Sequence, residues 1–321
     1  MLRYIVRRLL WLGFVLLLVA LITYVIFFVM PPTNPAVLYC GREPSKSCIT
    51  ELSRQFGLNR PFYVQYGLYV RHVFLGDRYG WPGFGVSFKT RSALKPIIFS
   101  RMGVTMQLSL GAALLWVLLG IPTGILSARR PRSPFDRVAM TAALLAVSAP
   151  VFFLGLIFLY VFWYTLHVAA GTGYVGLDHG FFSWANHLIM PCVVLALLYA
   201  AFYARIVRGD LMESMNEDYI RTARAKGLSE RRVVFKHGLR AALTPVMTLF
   251  GANFGALLGG AIITETVFNL QGLGALTIQA TRSGDLYTLA DITVIGAFFV
   301  AGANLIVDIA YAFLDPRVRY T

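Results

Sequence analysis

Side chains that could perform catalysis or bind a metal are scarce in this sequence. The five histidines are not at metal-ligand spacing, and neither a GxxxxGK[ST] loop for ATP phosphates nor an HExxH zinc motif occurs. Ser148 lies in an apolar stretch outside any GxSxG elbow, and a serine protease within a membrane would also need a histidine or lysine at membrane depth, which we do not find. We therefore expect no catalytic residue, no metal site and no cofactor in this chain.

Acidic residues in or beside apolar stretches are the next candidates, because an ionised group at membrane depth is costly and invites a functional interpretation. We assign Glu265 and Asp308 as candidate structural or gating residues, and Asp308 could bond to Arg205 or to a central polar loop. The simpler alternative, which also covers Asp291, is that each residue sits at a helix end and reaches water.

The most distinctive charged segment is 218–245, which reads DYIRTARAKGLSERRVVFKHGLRAALTP and lies between two long apolar stretches. Its pattern predicts a short helix over 219–226, which Gly227 ends in a left-handed conformation. A second amphipathic run covers 230–242, and Pro245 is predicted to start the next apolar span. The alternative is an ordinary cytoplasmic loop, which is basic because such loops generally are.

The composition is that of an integral membrane protein. Of the 321 residues, 57% are hydrophobic and 14% are charged, whereas a soluble domain is typically about 25% charged. The formal net charge of +14 comes from cations at the ends of apolar stretches, without an aromatic-interleaved basic face elsewhere. This distribution excludes nucleic acid as the expected partner.

The predicted architecture is all-α, with six transmembrane helices. The predicted spans are 9–30, 102–128, 138–167, 188–203, 246–263 and 289–313. The first span follows three arginines and lacks a small-residue cleavage site, so we expect a retained helix and not a removed signal peptide. A kink is expected in the third span at 148–150, where the sequence reads SAP.

Six spans place both termini on one side, and the charge pattern predicts which side that is. The short segments on the terminal side carry the cations, and the short loops opposite carry only Arg282. We predict a cytoplasmic N-terminus and first helix at 1–30, an external subdomain at 31–101, and a core of five helices at 102–321 with a cytoplasmic loop at 205–245. Cys40 and Cys48 would then face outward, where they could form a small disulfide.

Within 218–245, the residues RTA are followed after three residues by Gly227. This order resembles the EAA–xxx–G signature of the membrane subunits of ABC importers, with Arg221 in place of the glutamate. The fuller run TARAKGLSERR, with Pro245 further downstream, resembles the dipeptide, oligopeptide and nickel branch of that family.

Three further stretches resemble the same branch. The first is FGLNRPFYVQY, then GD and GVSF, although an insertion, RYGWPGF, separates GD from GVSF. The second is ETVFNLQGLGALTIQA, with Gln271 where the branch usually has proline. The third is NLIVDIAYAFLDPRVRY near the end. Together with the central segment, the resemblance covers nearly the whole chain.

The resemblance implies the six-helix transmembrane fold of a type I ABC importer, in a bacterial cytoplasmic membrane with both termini in the cytoplasm. It implies a second, similar permease, two cytoplasmic ATPase subunits that bind ATP and Mg²⁺, and an external, often lipid-anchored, substrate-binding protein. The chain itself would not be an enzyme. The branch includes carriers of dipeptides, longer peptides, glutathione, haem and nickel.

By the same resemblance, the short helix would insert into a groove on one ATPase and couple ATP use to movement of the membrane helices. The coupling residues it implies are Tyr219, Arg221, Thr222, Ala223, Arg224, Ala225, Lys226 and Gly227. We expect Ala223 and Ala225 to allow close approach of the partner, and Arg221 and Arg224 to bind its carboxylates.

Two other classes of protein remain as alternatives. A self-sufficient secondary transporter would need an internal repeat around a midplane site, and no convincing repeat or set of mid-span acids is found. A structural scaffold or membrane anchor would leave the central segment without a role.

Overall fold

The computed structural model describes residues 2–30, 36–37, 40, 44–55, 57–87 and 89–314. These residues form thirteen α-helices, and their only β-pairing consists of isolated bridges. The helices are α1 Leu2–Tyr24, α2 Lys46–Gln55, α3 Phe62–Leu75, α4 Leu94–Arg129, α5 Pro134–Ser148, α6 Val151–Phe158, α7 Phe181–Ser214, α8 Asp218–Ala225, α9 Glu230–Arg232, α10 Leu239–Leu258, α11 Ile262–Val267, α12 Leu273–Ser283 and α13 Leu286–Leu314.

The helices confirm the predicted all-α membrane protein. Within the described residues, five helical stretches are long and apolar enough to cross a membrane, and the number is six if one bent pair counts as a single span. The five are Ile5–Val29, Leu94–Arg129, Phe181–Ser214, Glu230–Val267 and Leu286–Ile309, and the bent pair is Pro134–Ser148 with Val151–Thr165.

The third predicted span is bent much more sharply than the predicted kink. Its two halves meet at 106°, because Pro150 lacks an N–H and disfavours helical geometry in the residue before it. Ala149 accordingly has an extended conformation, with φ −82° and ψ 131°.

Helix lengths differ from those predicted by hydropathy. Helix α7 has 34 residues and begins at Phe181, inside the segment predicted as a loop. Helix α4 has 36 residues and begins before the apolar stretch does. Pro245 was predicted to start a span, but it lies inside α10. These predictions were wrong because hydropathy detects only the apolar part of a helix. The polar residues at its ends continue the same backbone hydrogen bonding, so the helix is longer than its apolar stretch.

The chain divides into two compact units, and the first comprises Met1–Thr105, Gly255–Ile262 and Gln271–Thr321. In this unit α1 packs on α13, and three tyrosines fix α3 to both helices. Tyr24 donates to Gln65 at 2.8 Å, Tyr66 donates to the Leu17 carbonyl at 2.9 Å, and Tyr69 donates to Asp291 at 3.4 Å. Burial, followed by the charge of Asp291, raises the pKa of Tyr69 well above its usual value, so this hydroxyl stays protonated.

The inserted RYGWPGF stretch folds around one carboxylate in the same unit. Asp77 accepts from the backbone N–H of Tyr79 at 2.7 Å and from that of Gly85 at 2.8 Å. The Lys95 ammonium donates to the Trp81 carbonyl at 2.8 Å. The insertion is therefore an ordered turn held by local polar contacts.

A second carboxylate lies close to the residues that follow the insertion. Asp285 accepts hydrogen bonds from Ser87 and Thr288.

The second unit comprises Met106–Phe254 and Ile263–Leu270. A buried ion pair fixes the start of α5 to α7, because Arg208 donates two hydrogen bonds to Asp136, at 2.6 and 2.9 Å. Asp136 also accepts from the Arg132 backbone N–H at 2.7 Å. A buried carboxylate with this many donors holds its neighbours in one arrangement.

Helices α4 and α7 approach closely at two glycines spaced as GxxxG. A Cβ atom at Gly120 would lie 2.8 Å from the Ala200 carbonyl oxygen. One at Gly124 would lie 2.7 Å from the Val207 Cβ atom. Small residues at this spacing let two membrane helices bring their backbones together.

We expect the same substitution at two glycines of this unit to have opposite effects on stability. Gly124→Ala should destabilise the chain by about 1–3 kcal/mol, because the added methyl group overpacks the α4–α7 contact. Gly209→Ala, in α7 with open space around its Cβ position, should stabilise by up to about 1 kcal/mol through helix propensity. Melting temperatures of the detergent-purified chain measure both, and a Gly124→Ala variant as stable as the wild type would contradict the packing.

Candidate functional site: the cationic helix α8

Helix α8 is the predicted short helix, and its observed bounds are Asp218–Ala225. It ends where the sequence predicts, because Gly227 has φ +76°, a left-handed conformation that L-residues with a side chain rarely adopt. The backbone N–H of Gly227 donates to the Arg224 carbonyl at 2.9 Å, and that of Lys226 donates to the Thr222 carbonyl at 3.1 Å. These bonds satisfy the last carbonyls of the helix.

One face of α8 is buried within the chain itself. Ile220 and Ala223 pack on Val233, which opens the π-helical segment Val233–Gly238 between α9 and α10. Ala223 was predicted to allow close approach of a partner, but the residue is only 6% exposed in this chain and packs in this internal cluster. Ala225 lies on the opposite side and is exposed.

A chain of hydroxyl groups fixes the start of α8 to the helices before and after it. The buried Ser214, at the end of α7, donates to the Gly238 carbonyl at 3.2 Å. Because the hydroxyl hydrogen of Ser214 is used in that bond, the Tyr219 hydroxyl is the donor of the hydrogen bond between Tyr219 and Ser214. Sequence analysis did not identify Ser214, because its partner Gly238 lies 24 residues further along the chain.

The other face of α8 carries exposed cations with weak partners. Arg221 is 75% exposed and lies 3.4 Å from Asp218, itself almost fully exposed. Arg224 makes a shorter contact of 2.7 Å to Glu230, a partner that was not predicted. Exposed ion pairs contribute at most about 1 kcal/mol, so both arginines can exchange these partners for the carboxylates of another protein.

The candidate acidic residues are more buried than their sequence positions suggest. Glu265, in α11, is 0% exposed, and Asp291, in α13, is 1% exposed. The alternative in which these two side chains reach water was therefore wrong. Asp291 accepts a hydrogen bond from Tyr69 of α3, and a contact with a residue so distant along the chain has no local sequence signal.

Asp308 has a partner that the sequence did not suggest. Its carboxylate lies 2.9 Å from the Arg8 guanidinium, which links α13 to α1 in the first unit. The expected partners, Arg205 and the central loop, are not the ones observed. The side chain of Arg205 is exposed.

The two remaining candidate residues are close together. Cys40 and Cys48 form a disulfide, with their Cα atoms 5.9 Å apart. Within the described ranges, no group of three or more His, Cys, Asp or Glu side chains could hold a metal ion.

Two family profiles match the chain along most of its length. The profile described as "Binding-protein-dependent transport system inner membrane component" matches residues 120–320. A second, which describes the N-terminal part of such membrane components, matches residues 1–109. The first profile contains the whole of α8 and both helices to which it is anchored.

Curated relatives are similar over their full length. The chain is 35% identical to a dipeptide transport system permease protein of Alkalihalophilus pseudofirmus, with 100% of each chain covered. It is 38% identical to the glutathione transport system permease protein of Escherichia coli K12, again with 100% of each covered. A probable peptide ABC transporter permease of Sinorhizobium fredii is 34% identical, with 99% of each covered.

A solved structure shares the fold. The inward-facing MetNI methionine ABC transporter matches with a TM-score of 0.57 at 18% identity, over 69% of this chain and 98% of the other. At this identity the likeness shows the fold alone, which is that of a type I ABC importer membrane domain. The two profiles, the full-length relatives and this fold lead to one conclusion. The chain belongs to the family of binding-protein-dependent transport system inner membrane components, and it is a permease subunit of an ABC importer whose ATP is hydrolysed by separate subunits.

Proposed function

We propose that this permease carries peptides or a small peptide-like solute. The observation that supports the proposal is that full-length relatives at 34–38% identity are named for peptide, dipeptide and glutathione transport. These solutes share amide-linked amino acids, which differ mainly in length and side chains. A permease of this branch therefore needs a path with low selectivity, and an external binding protein supplies the discrimination.

The assembly in this proposal has a second, homologous permease beside this chain, two ATPase subunits on the cytoplasmic side, and a binding protein, lipid-anchored in the membrane, on the other side. Substrate crosses between the two permeases. Each permease contacts one ATPase through its short cationic helix, which is α8 in this chain.

We propose that the termini and residues 205–245 face the cytoplasm and that residues 31–101 form an external subdomain. The cation distribution supports this orientation, since the short segments on the terminal side carry most of the arginines. The Cys40–Cys48 disulfide supports it as well, because disulfides persist in oxidising compartments.

The anchoring of α8 suggests how ATP moves the membrane helices. Ile220 and Ala223 are packed on the segment that precedes α10, and Tyr219 is bonded to Ser214 at the end of α7. When ATP draws the ATPases together, a displacement of α8 is passed to both helices at once. The result is rigid-body switching between inward-open and outward-open states, biased by the preference of ATP for one of them.

Within this mechanism the exposed residues of α8 contact the ATPase and the buried ones do not. Arg221 and Lys226 offer charge, and Ala225 and Thr222 allow close approach. The Asp308–Arg8 pair acts as a structural contact between α13 and α1, and we assign a structural role to the buried Glu265 as well.

Transport by the reconstituted importer tests the proposal. Vesicles that contain both permeases and the ATPases should accumulate a labelled dipeptide or tripeptide when the binding protein is outside and ATP with Mg²⁺ is inside. A protonophore should leave the initial rate unchanged. Uptake by this chain alone, driven by a proton gradient, would contradict the importer mechanism, and ATP-driven uptake of an unrelated solute only would contradict the peptide assignment.

The two alanines of α8 should separate folding from coupling. We expect Ala225→Leu to lower co-purification of the ATPase subunits several-fold without changing the melting temperature, because the added side chain projects outward. Ala223→Leu should lower the melting temperature, since overpacking the cluster with Val233 costs about 1–3 kcal/mol. Equal effects of the two variants on both measurements would argue against the assigned faces.

Gly227 offers a test of the backbone conformation after α8. Gly227→Val should reduce ATPase co-purification and coupled ATP hydrolysis, because a β-branched residue with φ near +76° is strained by about 1–2 kcal/mol. Gly227→Asn is the matched control, because asparagine tolerates the left-handed region. The membrane fold should persist in both variants, and a Gly227→Val chain that couples normally would refute the role of the turn.

A further inference from the structure

A cationic depression lies directly after α8, and its lining residues are not among those assigned to contact with the ATPase. Its volume is about 540 Å³, and its lining residues are Ser229, Arg231, Arg232, Phe235 and Lys236. We call it the 229–236 pocket. It combines three positive charges, one hydroxyl group and one aromatic ring, without a carboxylate in the lining.

The three cations of the 229–236 pocket lack an acidic partner among the described residues. Arg231, Arg232 and Lys236 are exposed and take part in none of the ion pairs there. The adjacent acid, Glu230, contacts Arg224 at 2.7 Å and none of these three cations. Three like charges around one depression repel each other, so the surface is complementary to an anion.

The local backbone fixes these side chains outward. Val233 and Val234 are buried, and they anchor the π-helical segment Val233–Gly238 to the rest of its unit. The residues on either side of this buried pair, Arg232 and Phe235, therefore face the surface together. Phe235 is 48% exposed, so the pocket offers an apolar contact beside its cations.

The position along the chain places the pocket at the end of a candidate membrane span. Helix α10 begins at Leu239, and its first residues, 239–245, precede the apolar span predicted at 246–263. The pocket residues directly precede Leu239, and the span that includes them is Glu230–Val267. They therefore lie at the start of that candidate span, on the side that we propose faces the cytoplasm.

We propose that the 229–236 pocket binds the headgroup of an anionic phospholipid. The two guanidinium groups can each donate paired hydrogen bonds to phosphate oxygens, and Lys236 adds a point charge. The Phe235 ring covers the first carbons of the acyl chains, as aromatic side chains do at membrane interfaces. Basic clusters next to a membrane span have this preference for anionic lipids.

An acidic segment of the ATPase would fit the charge of the pocket equally well, but two observations favour the lipid. The exposed phenyl ring gains from an acyl chain more than from a carboxylate, and the pocket directly precedes the helix that enters the hydrocarbon. A bound lipid ties the link between α8 and α10 to the membrane surface. The proposal does not depend on which solute the importer carries.

The test uses the full chain, purified in a neutral detergent and titrated with phosphatidylglycerol or phosphatidylcholine, with native mass spectrometry as the measurement of bound lipid. The wild-type chain should retain phosphatidylglycerol in preference to phosphatidylcholine, and salt should weaken this binding. Glycerol phosphate, which has the headgroup chemistry without acyl chains, should not compete at the same concentration.

The variant Arg231→Gln with Arg232→Gln and Lys236→Gln should bind phosphatidylglycerol about tenfold or more weakly, because each cation near a membrane surface contributes appreciably to anionic-lipid binding. The matched control removes the same charge from the α4–α5 junction, with Arg129→Gln, Arg130→Gln and Arg137→Gln, and should bind as the wild type does. Phe235→Ala, which keeps all charges, should weaken lipid binding several-fold, and a melting temperature for each variant confirms that it is folded.

Three results would overturn the proposal. One is an equal loss of lipid in the pocket variant and the loop control, which would mean that net charge alone attracts the lipid. Another is unchanged lipid binding with reduced co-purification of the ATPase subunits, which would assign the pocket to a protein partner. The third is competition by glycerol phosphate as strong as that of the lipid, which would assign it to a soluble anion.

Discussion

The packing of Ile220 and Ala223 on Val233 is the interaction on which the other features of α8 depend. An eight-residue helix is too short to be stable in water by itself, so its structure comes from this buried face and from the Tyr219–Ser214 hydrogen bond. The same contacts join α8 to the end of α7 and to the segment before α10. A force applied to the exposed face therefore moves the ends of two long helices, whereas a helix on a flexible loop would move alone.

Polar groups in this chain divide into two classes with different physical roles. Asp136 is buried and receives paired hydrogen bonds from Arg208, which holds α5 on α7. The charges of α8 are exposed, and their mutual contacts are weak enough to be replaced. The buried class is costly to disrupt because a charge would lose its partner away from water, and the exposed class is free to meet a partner protein.

Local patterns allowed the sequence to predict the elements, and non-local contacts explain what it missed. The bounds of α8 were predicted within a residue at each end, because Gly227 and the amphipathic run are properties of neighbouring residues. The inward face of Ala223 depends on Val233, and the partner of Asp308 is Arg8, at the far end of the chain. Pro150 predicted where the third span bends but not that the angle is 106°. A proline disfavours helical geometry in the residue before it, but it does not determine the direction in which the chain continues.

The separation of the two faces of α8 explains how one short helix can serve both folding and coupling. If the coupling residues also formed the internal cluster, contact with an ATPase would compete with the packing that transmits its movement. The arrangement avoids this conflict because the apolar side chains Ile220 and Ala223 point inward, and Arg221, Ala225 and Lys226 point outward. The left-handed turn at Gly227 then redirects the chain toward α10, so that the segment following α8 packs on its inner face and leaves the outer face open.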